Sequence, residues 1–260
     1  MRGDPARVCQ PQLARVGSRR PSAVALRIAE SFAAAASRVG LQVCSGLARG
    51  IDGACHRGAL AGAGSTVAVL GTGIDRIYPS VHHALAQEIA ANGCLISEFP
   101  PGTGPRRQNF PQRNRIISGM SLGVLVLEAA LPSGSLITAR AALEQGREVF
   151  ALPWSIAHQG GAGCLQLLRD GARMTLTIDD VLEELGSLYS LQLDLLGSDT
   201  ARTDASGEES ALLQLLGYEE VGLDLLASRS GLTVPELLSQ LTALEVSGAV
   251  VRSPGGYMRT

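Results

Sequence analysis

The sequence predicts an α/β protein: an extended Rossmann-like, doubly wound parallel sheet followed by a small C-terminal winged-helix domain. Three observations carry this. Residues 1–178 alternate short apolar runs with helical stretches, the signature of a parallel sheet with right-handed crossovers. Gly40, Gly93 and Gly146 follow three of those stretches as helix stop signals. The last fifty residues change to three short helical segments and a Pro-Gly-Gly turn between two apolar pieces, which describes three helices and a hairpin.

Taken in order, the strands are expected at Leu13–Val16, Leu41–Ser45, Thr66–Leu70, Cys94–Glu98, Val124–Glu128 and Val149–Leu152. Helices fall between them at Ser22–Val39 (with Ser22 as N-cap), Ile51–Ala63, Ser80–Asn92, Arg113–Ser121 and Leu136–Gln145. A short helix at Gly163–Asp170, an apolar piece at Met174–Ile178 and a helix at Asp179–Leu185 complete a first domain spanning 1–186. An acidic linker follows at 187–209, rich in Ser, Asp, Thr and Gly. The winged helix occupies 210–260, with helices at Ser210–Leu216, Leu223–Ser228 and Val234–Ser247 before the hairpin.

Hydrophobic residues make up 45% of the 260, enough for a core, while aromatics are only 3%. Packing therefore relies on Ala, Leu, Val and Ile. No apolar run reaches the roughly 18 residues a membrane span needs, so a soluble, cytoplasmic protein is expected. Cys9, Cys44, Cys55, Cys94 and Cys164 are scattered without a CxxC pair, and four histidines show no metal-ligand spacing; free thiols and no metal site are expected. The net charge of −2 hides an asymmetry. Residues 1–178 hold 18 Arg against 10 acids, net +8, and residues 179–260 hold 4 Arg against 14 acids, net −10. An anion-binding body with an acidic tail fits that division.

In doubly wound sheets, ligands bind beyond the carboxyl ends of the strands. The segments leaving those ends here are uniformly rich in Gly and hydroxyls: VGSRRPS with Gly17, Ser18 and Arg19; SGLARGID with Ser45, Gly46 and Arg49; LGTGID with Gly71 and Gly73; EFPPGTG; and PSGSLITA with Ser133, Gly134 and Ser135. Exposed backbone amides and helix N-termini in such turns favour anions. The stretch FPQRNRIISG places Arg113 and Arg115 around Asn114, and no acid occurs between Phe99 and Leu127 while Arg106 and Arg107 also lie there. Either a solvated turn or an anion site answers to that cluster. A dinucleotide fingerprint, a Walker lysine and a G-x-S-x-G elbow are all missing. Asp52, Asp75 and Glu128, one per strand end, suit helix capping better than metal binding.

The ordered set GSR, SGLARGID, VAVLGTGID with IYP, SEFPPG, FPQRNRII, EA…SGSLITARAA, VFALP and DGA, spanning about Pro11 to Gly186, resembles the DNA-processing protein A family. The resemblance implies a single-stranded DNA-binding recombination mediator that protects incoming DNA, loads the RecA recombinase in natural transformation and displaces single-strand-binding protein. It implies neither catalysis nor a cofactor. Its DNA pocket maps onto Gly17–Ser18–Arg19, the SGLARG loop and the segment from Arg107 to Phe110. Phosphates would meet amides, Arg19, Arg107 and Arg113, with Phe110 stacking on a base. Two readings stand for Arg113 and Arg115, phosphate contact or bonds to loop carbonyls, and two for Phe110, base platform or core plug. The resemblance also implies a homodimer and an overlapping RecA surface near Cys164, Leu165, Leu168 and Met174, where plain core packing is the competing account.

This chain departs from the family pattern in several places. Only Arg2–Pro5 stands where a helical extension is usual, Arg15 replaces an aliphatic strand residue, His82 an asparagine, and Trp154 a glycine. The winged helix raises a further question: Thr233–Glu245 carries two acids and no Arg, a repulsive charge for a groove-reading helix. Two other function classes fit the sequence less well. A nucleotide-processing enzyme resembling the phosphoribohydrolases would need a PGGxGT loop that PSGSLITA does not supply; a duplex-reading regulator meets the acidic third helix.

Overall fold

Short apolar runs and glycine-stopped helices assemble as their pattern requires. The computed structural model describes residues 1–62, 64–186, 188–192, 216, 221–230, 237–238, 241, 244–245, 250–253 and 256–259. They fall into two units, Met1–Leu193 and Asp194–Thr260.

In the first unit, chain order runs β1 (Arg2–Gly3), β2 (Gln12–Val16), α1 (Ala23–Arg38), β3 (Gln42–Ser45), α2 (Ile51–Ala61), β4 (Thr66–Val69), α3 (His83–Asn92), β5 (Cys94–Ile96), α4 (Asn109–Gly119), β6 (Gly123–Val126), α5 (Gly134–Glu144), β7 (Glu148–Ala151), α6 (Ala162–Arg169), β8 (Arg173–Met174) and α7 (178–186). Across the sheet the order is β1-β5-β4-β3-β2-β6-β7-β8. All neighbours are parallel except β1, which pairs antiparallel with β5. The winding direction therefore reverses between β2 and β6, and the switch point lies at their carboxyl ends.

Side chains alternate between the faces, as strand geometry demands. Leu13 and Leu125 join α1, α2 and α7 in one layer; Ala14, Val124 and Val126 join Ile117 of α4, Ala139 of α5 and Cys164 of α6 in the other. Leu85 and Ile89 of α3 cover the β4–β5 end. Ser22 caps α1, its Oγ accepting from the Ala25 amide at 3.1 Å. The five cysteines are free thiols. Among the described residues no helix is long and apolar enough to cross a membrane.

Expected and observed strands agree closely, with two differences. The expected first strand is preceded by β1 and a 3-10 turn at Pro5–Cys9, too short to leave a periodic signal. Helix α4 begins at Asn109, four residues ahead of expectation, because Pro111 sits in the first turn, where its missing N–H costs no bond.

In the second unit, α8 (Leu223–Ser230) and the hairpin β9 (Val250–Ser253) to β10 (Gly256–Arg259) gather around Leu216, Leu226, Leu237, Leu241, Leu244 and Tyr257. This agrees with the expected winged helix. Most of the first and third expected helices and of the linker lie outside the described residues.

Arg15 is the anomaly of the core. It shares the Leu13 face of β2, is fully buried, and its three guanidinium nitrogens have no hydrogen-bond partner among the described residues. The guanidinium lies 5.7 Å from the Phe32 ring centroid. Burial lowers its pKa only to about 10, so the charge persists at neutral pH. Desolvating an unpaired cation costs several kcal/mol, and Arg15→Met is expected to raise stability by about 1–4 kcal/mol, read as a higher Tm; a lower Tm contradicts this account. His56 is a second buried cost. Its Nδ1–H donates to Thr66 Oγ1 at 2.8 Å while Nε2 has no partner among the described residues, and burial first, then His82, lowers its pKa to about 3. A depressed folded pKa means the folded state binds fewer protons, so stability is complete above the unfolded value of 6.5 and is lost as pH falls from there toward 3. Denaturation midpoints of His56→Gln should accordingly fall less between pH 7 and pH 4 than those of the parent chain; parallel profiles would contradict it.

Candidate functional site

A cavity of about 440 Å³ opens at the strand switch point. Its walls come from the loop after β2, the start of α2, the first turns of α4 and the N-terminus of α5. Of the residues singled out from sequence, Gly17, Ser18, Arg19, Phe110, Arg113, Asn114, Ser133, Gly134 and Ser135 line it.

The β2–α1 loop is anchored through one buried residue beyond β6. The Ser18 amide donates to the Glu128 carbonyl at 2.7 Å. The Glu128 carboxylate accepts from the Ser22 amide at 3.1 Å, from Ser22 Oγ at 2.7 Å and from His158 Nε2 at 2.8 Å. His158 stacks on Trp154, ring centroids 4.5 Å apart. Between these ties Arg19 projects over the Phe110 ring, 5.6 Å from its centroid, a cation–π distance.

Arg113 does something different. It is only 3% exposed. Its Nη1 donates to the Gly46 carbonyl at 2.7 Å and also to the Val69 carbonyl, and its Nε donates to Asn114 Oδ1 at 3.2 Å. Gly46 must be glycine for this contact, since a Cβ there would stand 2.5 Å from Arg113 Nη2. Burial lowers the Arg113 pKa to about 10, opposed by Asp52; burial raises the Asp52 carboxyl above the usual range, opposed by Arg113. Asp52 also accepts from the Ala48 amide at 3.2 Å, so this pair is internal to the wall.

The remaining sequence candidates divide plainly. Ser45 is buried and spends its hydroxyl on the Arg15 carbonyl at 2.6 Å. Gly71 lies under Phe110, where a Cβ would approach Phe110 Cδ1 to 2.9 Å, and its carbonyl accepts from Asn109 Nδ2 at 3.1 Å. The Gly73 amide donates to the Thr103 carbonyl at 2.9 Å. Arg115 is paired with Glu98. Arg49 and Arg107 are exposed and, like Arg19, form no ion pair among the described residues. Away from the cavity, Cys164 is buried, Leu165 and Leu168 are half-buried, and Met174 is exposed on the sheet-edge strand β8.

Two features were beyond sequence reasoning. Leu47 takes a left-handed φ of 58°, unusual for a bulky residue; its buried side chain and a 2.9 Å bond from His82 Nδ1–H to its carbonyl hold it there. Tyr78 stands beside Phe110, centroids 5.6 Å apart.

Fold and site together define a doubly wound α/β protein with an arginine-edged crevice at its switch point. Residues 1–186 match the family described as DNA recombination-mediator protein A, and residues 197–256 match the DprA winged helix domain. Protein Smf of Escherichia coli is 43% identical over 261 residues, covering 95% of this chain and 67% of that protein. DNA processing protein A of Streptococcus pneumoniae, solved by X-ray methods, superposes with a TM-score of 0.68 at 42% identity, over 70% of this chain and 64% of that one. A Helicobacter pylori DNA processing protein A, whose structure is described as giving insight into its single-stranded DNA binding mode, gives 0.66 at 30% identity over 72% and 86%. The chain belongs to the DNA recombination-mediator protein A family.

Arg113→Met removes the donor of the Gly46 and Val69 carbonyls; leaving two buried acceptors unmet is expected to cost about 2–6 kcal/mol, read by chemical denaturation. Arg19→Ala should leave the same midpoint nearly unchanged. Equal losses from both would contradict the division between buried strut and free cation.

Proposed function

We propose that this chain is a recombination mediator that holds single-stranded DNA in the switch-point crevice without cutting it. The observation that carries the reading is the pairing of Arg19 with the Phe110 ring at the cavity wall. A cation for the phosphate and a ring for the base are what sequence-tolerant strand binding needs. Arg107, the Ser18 hydroxyl and the amides of Gly17, Ser133 and Gly134 extend the anion contacts, and Arg49 and the Gly46, Gly71 and Gly73 turns shape the adjacent rim, with Ser135 bonded to Ser133 behind them. The Helicobacter pylori relative supports the ligand class. Arg113, Asn114 and Arg115 serve as the frame of the site.

The same wall supports binding without chemistry. Its one buried carboxylate, Asp52, faces Arg113 and the Ala48 amide, leaving it poorly placed as a general base. In the cell, on this reading, the protein works in the cytoplasm as a homodimer, protecting incoming strands and loading RecA in place of single-strand-binding protein. The edge strand β8, with Met174 and the following Leu176 both exposed, supports a docking surface there.

Arg19→Ala combined with Arg107→Ala is expected to weaken oligo-dT binding at least about tenfold at low salt. Loss of two phosphate partners should also flatten the plot of log affinity against log salt by about 1.4. Unchanged affinity and slope, or turnover of a nucleotide by the parent chain, would sink the reading.

A further inference from the structure

The notable unassigned group around the crevice is Tyr78. Aromatics are 3% of this chain, yet Tyr78 lies beside Phe110 and is 48% exposed. The two rings are tilted by 46°. Arg19 lies over the Phe110 ring as well, so Phe110 has both a cation and a second aromatic ring as neighbours. The phenol hydroxyl makes no hydrogen bond among the described residues, and about half of the residue faces solvent.

The loop that carries Tyr78 is tied down rather than loose. Thr72 Oγ1 donates to the Arg76 carbonyl, and Ser97 Oγ donates to the Thr72 carbonyl at 2.6 Å. The Gly102 amide donates to Asp75 Oδ1 at 2.8 Å, and the Arg76 amide to the Gly73 carbonyl at 2.9 Å. These bonds knit the turn after β4 to the loop after β5. A ring held half in solvent on a fixed loop loses little entropy when it binds a flat ligand.

We infer that Tyr78 is a second base platform, stacking the nucleobase next to the one on Phe110; this rests on the single-stranded DNA reading of the crevice. The 46° between the rings holds successive bases at an angle, so the bound strand bends as it passes Phe110. Stacking uses the π-face common to all bases, so the contact is sequence-tolerant, and it carries no charge.

The test compares Tyr78→Ala and Tyr78→Phe with the parent chain, using fluorescent oligo-dT across a salt series. Tyr78→Ala should weaken binding about tenfold, the scale of one lost stack, with the salt slope and Tm unchanged. Tyr78→Phe should bind like the parent. Photocrosslinking with 5-iododeoxyuridine oligonucleotides should mark both Tyr78 and Phe110. Parent-like binding by Tyr78→Ala, together with crosslinks at Phe110 alone, overturns the platform and leaves the crevice intact. A changed slope in Tyr78→Ala would mean the residue acts by placing an arginine, which also overturns it. If the parent chain binds no oligo-dT, the crevice reading itself falls, and the platform with it.

Discussion

The Arg113 guanidinium is the constraint on which the crevice depends. It joins the loop after β3, through the Gly46 carbonyl, to the end of β4, through the Val69 carbonyl. It reaches both from α4, which also carries Phe110. A buried cation is costly unless its donors are met, so once Arg113 is inside, the carbonyls must stay where they are. The stiffness of the Phe110 platform is a by-product of that cost. Asp52, held by the Ala48 amide and facing the same guanidinium, completes the strut from the α2 side.

On the opposite wall Glu128 plays the corresponding part with opposite charge. Backbone and carboxylate of one residue grip the two ends of the Ser18–Ser22 segment, so the exposed Arg19 side chain projects from between two pinned points. The crevice is thus a rigid frame carrying free cations at its rim. Such a division suits an electrostatic ligand bound without chemistry, because the frame need not move when salt or ligand screens the rim. It also separates the two arginine classes that the sequence groups together: Arg113 and Arg115 belong to the frame, Arg19 and Arg107 to the rim.

That separation marks the limit of what the sequence made legible. The strands were readable because each is a short apolar run closed by glycine or a polar turn, and Ser22 announced its helix as a cap. The Gly-rich turns pointed to the edge of the sheet where the cavity opens. Burial of Arg113 was not readable, since the carbonyls that satisfy it lie 67 and 44 residues away in the chain. Leu47 gave no signal either; nothing in the residue type asks for a left-handed φ, and only His82 and the packing around it impose one. Arg15 inverted the usual inference. A charge in a strand pattern suggests an exposed position, yet the strand sits in mid-sheet, next to both β3 and β6. Tyr78 and Phe110 meet through loops that leave different strands, a proximity no local pattern encodes.

The most direct measurement is the structure of this chain with a short oligo-dT bound. The account predicts phosphates against Arg19 and Arg107, a base on the Phe110 ring, and Arg113 still bonded to the Gly46 and Val69 carbonyls. A strand bound away from the switch point, or an Arg113 side chain released from those carbonyls to reach a phosphate, would contradict it.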